Sequence, residues 1–472
     1  MKKVKLKDVG RIITGKTPST KNSAFFDNDF MFITPEDITN NPSNLVESKR
    51  YISKFGLSSI ASNSIDGESV VVGCIGSDMG NIGYIKGKCA TNQQINSITE
   101  LKKEFDAKFI YYCLKPKKEY FKKIAGSTTT PILPKSVFEE IEIIVPLQPT
   151  QTAIAKVLSS LDDKIELNNK INKELENLAK TIYEYWFVQF DFPNEKGKPY
   201  KSSGGKMIYN ETLKNNIPKG WEVNKLECLT SFKRGISYKS VEINGENGMP
   251  MINLGSIDIT RNYRTGQLKY YSGKYNKEDI VKKGDMLIAC TDLTRNCDII
   301  GSPIIVPEEF DEYLFSMDLA KINIFNETSD MFIYESLRTD TYHNYIKYFA
   351  SGTNVLHLNL NGISWYEIAI PPEKIQKQFS EILKPLKKMQ SLIINDNRNL
   401  VELRDFLLPL LMNGQVTVKD IENKKDIISF KNQENNDQRF KMWLQNKRLA
   451  ARGETDLQTL REIFDAMDED DK

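Results

Sequence analysis

In two stretches of the chain, apolar residues recur in alternating steps of four and three, the spacing of a helix with one buried seam. The first stretch follows Pro149 and Thr150. Its seam is Ile154, Leu158, Leu161, Ile165, Asn168, Asn172, Leu175, Ala179, Ile182 and Trp186. The second follows Pro371 and Pro372, with Phe379, Leu383, Leu386, Gln390, Ile393, Asn397, Leu400, Arg404, Leu407 and Leu411. Each stretch predicts a helix of about 35 residues, or about 50 Å at 1.5 Å per residue. Helices this long with so polar an outer face need support along their length, so the spacing predicts that the two pair with each other. Two amphipathic helices in separate cores are the alternative. Asn172 and Asn397 hold the same seam position, where a polar residue gives up stability and fixes register. Asn413-Gly414 reads as the stop of the second helix.

Elsewhere the apolar runs are short and β-branched. Val70 to Val72, Ile141 to Val145 and Met286 to Ile288 are bounded by Gly, Asn, Asp or Pro, as strands are. Phe109 to Tyr120 reads as a local helix. These segments occur twice, in one order. "LKDVGRIITGKT" from Leu6 is matched by "LECLTSFKRGIS" from Leu226, and "FMFITPEDI" from Phe30 by "MPMINLGSI" from Met249. "DGESVVVGCIG" from Asp66 is matched by "KKGDMLIACTD" from Lys282, and "AGSTTTPILP" from Ala125 by "ASGTNVLHLN" from Ala350. Finally "IEIIVPLQPTQ" from Ile141 parallels "YEIAIPPEKIQ" from Tyr366, setting Pro146 on Pro371 and Gln151 on Gln376. The shared order, more than any one match, defines an internal repeat.

The predicted architecture is α+β: two strand-rich globules, each followed by a long helix. The boundaries are 1–149 for the first globule, 150–190 for its helix, 191–217 for a connection, 218–371 for the second globule, 372–414 for its helix and 415–472 for a tail. The connection, rich in Gly, Pro, Ser and Lys, reads as an irregular surface segment. The tail is basic from Arg439 to Arg452, around Trp443, and ends in "DAMDEDDK". A short amphipathic helix carrying Leu457, Leu460, Ile463, Phe464 and Met467 is expected there. A partner-docking arm and a solvated accessory tail are both open readings.

Composition narrows the function classes. A net charge of +2 over 472 residues leaves nucleic-acid binding to local faces. The six cysteines lie far apart with no C-x-x-C pair, which argues against a zinc ribbon or disulfide scaffold and fits a reducing cytoplasm. The basic start "MKKVKLKDVG" has no apolar run behind it, so no signal peptide is expected. No apolar run reaches the ~18 residues of a membrane span. His343 and His357 are the only histidines. Surface or loop positions are expected for both, rather than a catalytic or metal site. Acidic pairs such as Glu36-Asp37 and Asp162-Asp163 read as solvated charge.

One motif suggests chemistry. In "GRIITGKTP", Gly10, Gly15, Lys16 and Thr17 fit the phosphate-binding pattern G-x-x-x-x-G-K-[ST]. That pattern works only between a buried strand and a helix N-terminus. Here "VKLKDVG" precedes it, and no apolar helical stripe follows Thr17. The second copy, "TSFKRGISYKS", retains only Gly235. The stretch therefore reads as a loop in which one glycine turns the chain. The methyltransferase N-P-P-[FYW] motif, G-x-G-x-x-G after a strand, G-x-S-x-G and H-E-x-x-H are all absent.

The pattern resembles the specificity subunit of type I restriction–modification enzymes from Lys5 to about Gln415. The marks are "IIVPLQPTQTAIAKVLSSLDDKIELNNKINKELENLAKTIYEYWFVQF", "KPYKSSGGKM", "IPKGWEVNKL" and "IAIPPEKIQKQ" with "LLPLLMNGQV", in that order. The resemblance implies two target recognition domains, each reading one half of a split double-stranded DNA site. It implies that the two helices pack as an antiparallel coiled coil, a ruler for the gap. Half-sites about one DNA turn, roughly 34–36 Å, apart would present both to one face. It further implies docking of two methyltransferase subunits and of motor–nuclease subunits. S-adenosylmethionine, ATP and Mg would then belong to those partners, with no catalytic, cofactor or metal site in this chain and no membrane association.

Base and phosphate contacts need Arg, Lys, Asn, Gln, Ser or Thr on exposed loops. Candidates in the first globule are Lys16, Thr17, Arg50, Asn92, Gln93, Gln94, Ser127, Thr128 and Thr129. Those in the second are Lys233, Arg234, Lys239, Arg261, Arg264, Arg295, Asn296, Thr353 and Asn354. The loops after Ala125 and Ala350 stand out because they recur before the last strand of each half. The competing readings are a coiled-coil adaptor or decoy that holds methyltransferase subunits without reading bases, and a nucleotide hydrolase using Lys16.

Overall fold

The computed structural model describes residues 1–418 apart from 41–42, 77, 127–130, 244–247 and 326–328. The tail reading and the loop Ser127, Thr128 and Thr129 lie outside the described residues. The first long helix runs Gln148–Tyr183 and continues as a wider π-helical turn, Glu184–Val188. Pro149 sits in its first turn, where a missing N–H costs nothing. The second runs Glu373–Met412, and Gly414 follows with a left-handed φ of 76°. At 36 and 40 residues they measure about 54 and 60 Å. None of the twenty seam residues is exposed.

The chain folds as two compact units, Met1–Ile165 with the described residues from Leu400 on, and Glu166–Asn399. The first unit holds two four-stranded sheets. One orders Arg11–Thr14, Ile95–Thr99, Glu68–Gly73 and Ile82–Lys86, all antiparallel. The other orders Tyr51–Ile52, Phe30–Ile33, Cys89–Thr91 and Ser64–Ile65, with its central pair parallel. The second unit repeats both plans. Thr230–Arg234, Leu319–Ile324, Met286–Ala289 and Pro303–Ile305 form the antiparallel sheet. Lys269–Tyr271, Met249–Ile252, Glu312–Phe315 and Val281–Lys282 form the other, again with a parallel central pair.

The repeat extends to single hydrogen bonds. Gly15 N–H donates to the Ile95 carbonyl (3.0 Å) as Gly235 does to Leu319 (3.1 Å). Cys74 N–H donates to Gln94 (2.7 Å) as Cys290 does to Asp318 (2.7 Å). Leu133 and Leu358 each return an N–H to the cysteine carbonyl at 2.9 Å. The repeated glutamines lock each globule to its helix. Gln151 Nε2 donates to the Pro146 carbonyl, and its Oε1 accepts from the N–H of Asp106, N-cap of the helix Ala107–Leu114. Gln376 does the same between the Pro371 carbonyl and Ser329, N-cap of Asp330–Ser336. Both glutamines are buried. Each thus satisfies polar groups that burial would otherwise strand.

Contrary to what their loop position predicts, the repeated glycines are not there to turn the chain. Neither Gly15 nor Gly235 adopts a left-handed φ. Each is required by space. A Cβ on Gly15 would stand 2.1 Å from the Asn92 carbonyl oxygen, and one on Gly235 2.1 Å from that of Phe315. No helix follows Thr17; the next helical segment is the single 3-10 turn Ser23–Phe25.

Each unit's core takes in parts of both long helices. In the first, Ile154, Leu158 and Leu161 join Leu400, Leu403, Leu407 and Leu411 beneath the globule. In the second, Ala179, Tyr183 and Trp186 join Phe379 and Leu383. Asp162 meets Arg404 at 2.6 Å within the first unit. Within the second, Asn168 Nδ2 donates to Asn397 Oδ1 (2.8 Å), Gln390 Nε2 to the Asn172 carbonyl (3.2 Å), and Lys387 pairs with Glu176 (3.0 Å). Numbers fall on one helix as they rise on the other, so the pairing is antiparallel. Asn397 also donates to Asn169 Oδ1, whereas among the described residues Asn172 contributes its backbone carbonyl to the register.

The acidic pairs are not uniformly solvated. Asp162 is 4% exposed; it accepts from Tyr112 Oη (2.6 Å) and pairs with Lys115 (3.8 Å) besides Arg404. Asp37 is buried because its carboxylate accepts the N–H groups of Thr34 and Lys49. At the equivalent helix position, eleven residues beyond the repeated glutamine, the second half carries Lys387 instead of Asp162. Lys387 bridges Glu335 and Glu176, both at 3.0 Å, and Glu176 also binds Arg338 at 2.6 Å. Burial works against ionising Glu176, but Arg338 and Lys387 outweigh it and hold its carboxyl down at about 2.

The 191–217 connection is more ordered than its composition predicts. Asp191 accepts from the Ser202 N–H and hydroxyl, and Phe192 stacks between Tyr200 and Trp221. Met207–Asn210 and Asn215–Pro218 form a hairpin, with Asn210 Oδ1 accepting from Leu213 N–H in the turn. The apolar anchors Phe192, Ile217 and Trp221 outweigh the glycine content.

His343 also departs from expectation. It lies in the helix Asp340–Ile346 and is 8% exposed, while His357 is exposed on a strand. Burial, then the charges of Arg261 and Lys347, push His343 down to about 4. The folded state therefore binds this proton more weakly than the unfolded chain does. Stability present above the ordinary histidine value of 6.5 is lost as pH falls towards 4. Unfolding free energies measured by urea titration should fall between pH 6.5 and 5, and His343→Gln should flatten that slope. Glu176 titrates only below its ordinary 4.5 and leaves this window clear.

Candidate nucleic-acid interface

In each globule the strand before the repeated glycine meets the corner after the parallel pair, and the segment before the last strand reaches the same corner. In the first globule the corner is Asn92 to Gln94. Asn92 N–H donates to the Ile33 carbonyl, Asn92 Nδ2 to Gln94 Oε1, and Thr17 Oγ1 to Gln93 Oε1 (2.8 Å). Gly76 N–H donates to the Pro131 carbonyl, bringing the stem of the Ala125 loop to the same corner. Lys16 is exposed, and its side chain makes no hydrogen bond or ion pair with any described residue. Arg50 is exposed but lies over the Phe26 and Phe32 rings, on the other sheet.

In the second globule, Thr291–Asp292 pairs antiparallel with Leu356–Leu358, which pairs with Ala350–Ser351. This sheet brings the loop after Asp292, with Arg295 and Asn296, beside the tip carrying Thr353 and Asn354. All four are exposed and make no side-chain hydrogen bond or ion pair with described residues.

Several other candidates are committed internally. Lys233 bonds the Glu278 carbonyl and pairs with Asp279. Arg234 donates to the carbonyls of Met317 and Leu358, fastening the final hairpin to the sheet. Arg261 pairs with Asp340. Lys239 is exposed at the start of the 3-10 turn Ser240–Glu242. Arg264 lines a cleft of about 940 Å³ between its loop and the second unit's helix segments. The buried thiols of Cys74 and Cys290, matched in the repeat, are pushed up to about 12 by desolvation. They are corner packing and not nucleophiles. Among the described residues, no group of three His, Cys, Asp or Glu is placed to hold a metal, and no helix is long and apolar enough to cross a membrane.

Two copies of one fold, each presenting exposed polar side chains near the matched corner, make up a paired module. The family model for the type I restriction modification DNA specificity domain matches residues 1–177 and again 218–403, and the chain belongs to that family. It is 30% identical over 435 residues to the type I restriction enzyme MjaIX specificity subunit of Methanocaldococcus jannaschii, covering 88% of this chain and 94% of that protein. It is 26% identical to the HindI specificity subunit of Haemophilus influenzae, over 63% of this chain and 74% of the relative. Its fold matches the crystal structure of a type I restriction–modification S subunit from M. genitalium. The TM-score is 0.53 and the identity 18%, over 87% of this chain and 95% of that one.

Proposed function

We propose that each globule reads one half of a bipartite double-stranded DNA site, and that the paired helices set the gap. The observation that carries this is the repeat itself. Both four-stranded sheets and the backbone bonds of the corner recur in the two copies, while the side chains set on that frame differ: Lys16 is exposed where the second copy has Ile236, and Arg295 and Asn296 extend from a loop closed on Asp292 where the first copy has Gly76. A shared frame with different exposed donors suits two different half-sites. The chain acts as a DNA-recognition and scaffold subunit. Two methyltransferase subunits supply adenine methylation with S-adenosylmethionine, and motor–nuclease subunits supply ATP- and Mg-dependent cleavage. A near-neutral chain suits this role, because partners can share the phosphate contacts.

The test is methylome sequencing of cells carrying the methyltransferase partner with or without this gene. One gapped adenine motif should appear with it. No change in any gapped motif would sink the reading. A partner complex that forms but shows no base preference in competition binding would favour the adaptor instead.

A further inference from the structure

The loop Leu293–Ile300 is closed on one side chain. Asp292 is fully buried. Its Oδ1 accepts the Thr294 N–H (2.6 Å), and its Oδ2 accepts those of Ile299 (2.8 Å) and Ile300 (3.0 Å). Thr294 Oγ1 accepts the Asp298 N–H inside the same loop (2.8 Å), and Cys297 takes a left-handed φ of 55°. A buried carboxylate bonded to backbone N–H groups at both ends of a surface loop fixes the shape of that loop. What the loop holds outward is Arg295 and Asn296, residue types that pair bidentately with guanine and adenine edges. At the matched position the first globule carries no carboxylate. Two residues beyond Cys74, where Asp292 stands beyond Cys290, it has Gly76, with φ 87°.

We propose that Asp292 is the positioning residue of the second recognition globule, holding Arg295 and Asn296 in the geometry that reads a purine in one half-site. This rests on the half-site reading above. Fixing the loop before DNA arrives removes an ordering cost from binding and narrows the set of bases it accepts.

The experiment uses the complete chain assembled with its methyltransferase subunits. Methylation is measured on duplexes carrying the cellular motif with each half-site randomised in turn. Asp292→Asn replaces one carboxylate oxygen with an amide donor, which in either orientation must face at least one of the three backbone N–H groups. It should relax discrimination about tenfold or more at one position of the second half-site. The preference for the first half-site should stay unchanged, which a general loss of folding could not produce. Arg295→Ala with Asn296→Ala should relax the same position. Thr294→Ala, which frees only the Asp298 N–H, should relax it more weakly and carries the test if Asp292→Asn fails to assemble. The proposal is overturned if the double alanine variant relaxes a position that Asp292→Asn and Thr294→Ala leave intact, since the loop then reads without being positioned. It is equally overturned if none of the three variants changes the second half-site. An unaltered complex with no base preference at either half-site would instead remove the underlying reading.

Discussion

Arg404→Ala lowers the unfolding free energy by about 3 kcal/mol, the lower end for a broken buried pair, because the Asp162 carboxylate keeps only the Tyr112 hydroxyl and the more distant Lys115. Asp162 is 4% exposed, and Arg404 is its closest cationic partner; Lys115 stands farther off at 3.8 Å. Breaking such a pair costs more than the pair itself contributes, because one desolvated charge remains. Replacing both residues with leucine should recover part of the loss and not all of it, because the Tyr112 hydroxyl and Lys115 then lose their acceptor. Urea denaturation of the wild type, the single and the double variant measures this. Equal losses in the single and double variants would show that packing, not the stranded charge, sets the cost. The effect should fall on the first unit, whose core holds both residues' helix turns.

Gly15→Ala and Gly235→Ala each destabilise their own globule by about 3 kcal/mol, at the upper end of overpacking costs. The obstacle is backbone, which cannot turn aside as a flexible side chain can. At Gly15, the new Cβ meets the Asn92 oxygen at 2.1 Å and the Thr91 oxygen at 2.4 Å; at Gly235 it meets Phe315 at 2.1 Å and Ser316 at 2.5 Å. These carbonyls belong to the corner where one sheet passes into the other. Relief would open the two sheets apart, and with them the corner that carries Gln93 or supports the final hairpin. Hydrogen exchange should show the loss of protection confined to the mutated globule. Protection unchanged in both would mean the corner yields freely.

The seams were legible because spacing reports one-sided burial directly, and every seam residue is covered. The repeat was legible because order survives where identity does not. What spacing could not show was why polar residues sit among the apolar ones. Arg404 and Gln390 stand in the second seam, and each answers a partner on the other helix, Asp162 and Glu176. Asp162 itself falls one residue beyond Leu161, where a helical count places it at the seam's edge; its burial comes from Tyr112 and Lys115, contacts distant in sequence. The candidate interface divided along similar lines. Lys16 and Arg295 are exposed and uncommitted, while Lys233 and Arg234, read from the same residue types, serve carbonyls and carboxylates that no local pattern announces. His343 is buried, against the sequence expectation, for the same reason: its burial depends on long-range packing.

The opposite charges at the two helix seats have a consequence for exchanging halves between relatives. A transplanted first globule whose junction falls between Val145 and Gln151 leaves Asp162 behind on the resident helix. Such a graft is tolerated only if the newcomer brings a hydroxyl and a cation where Tyr112 and Lys115 stand. A donor patterned on the second half would instead offer Glu335 to an aspartate, setting acid against acid. Chimeras that carry the helix segment along with its globule avoid that conflict only if the opposing helix turn, with Arg404 or Glu176, travels too. What must travel together is therefore a globule with a segment of each long helix: for the first globule, residues 148–165 and the distant turns from Leu400 on; for the second, the segments that flank it in the chain.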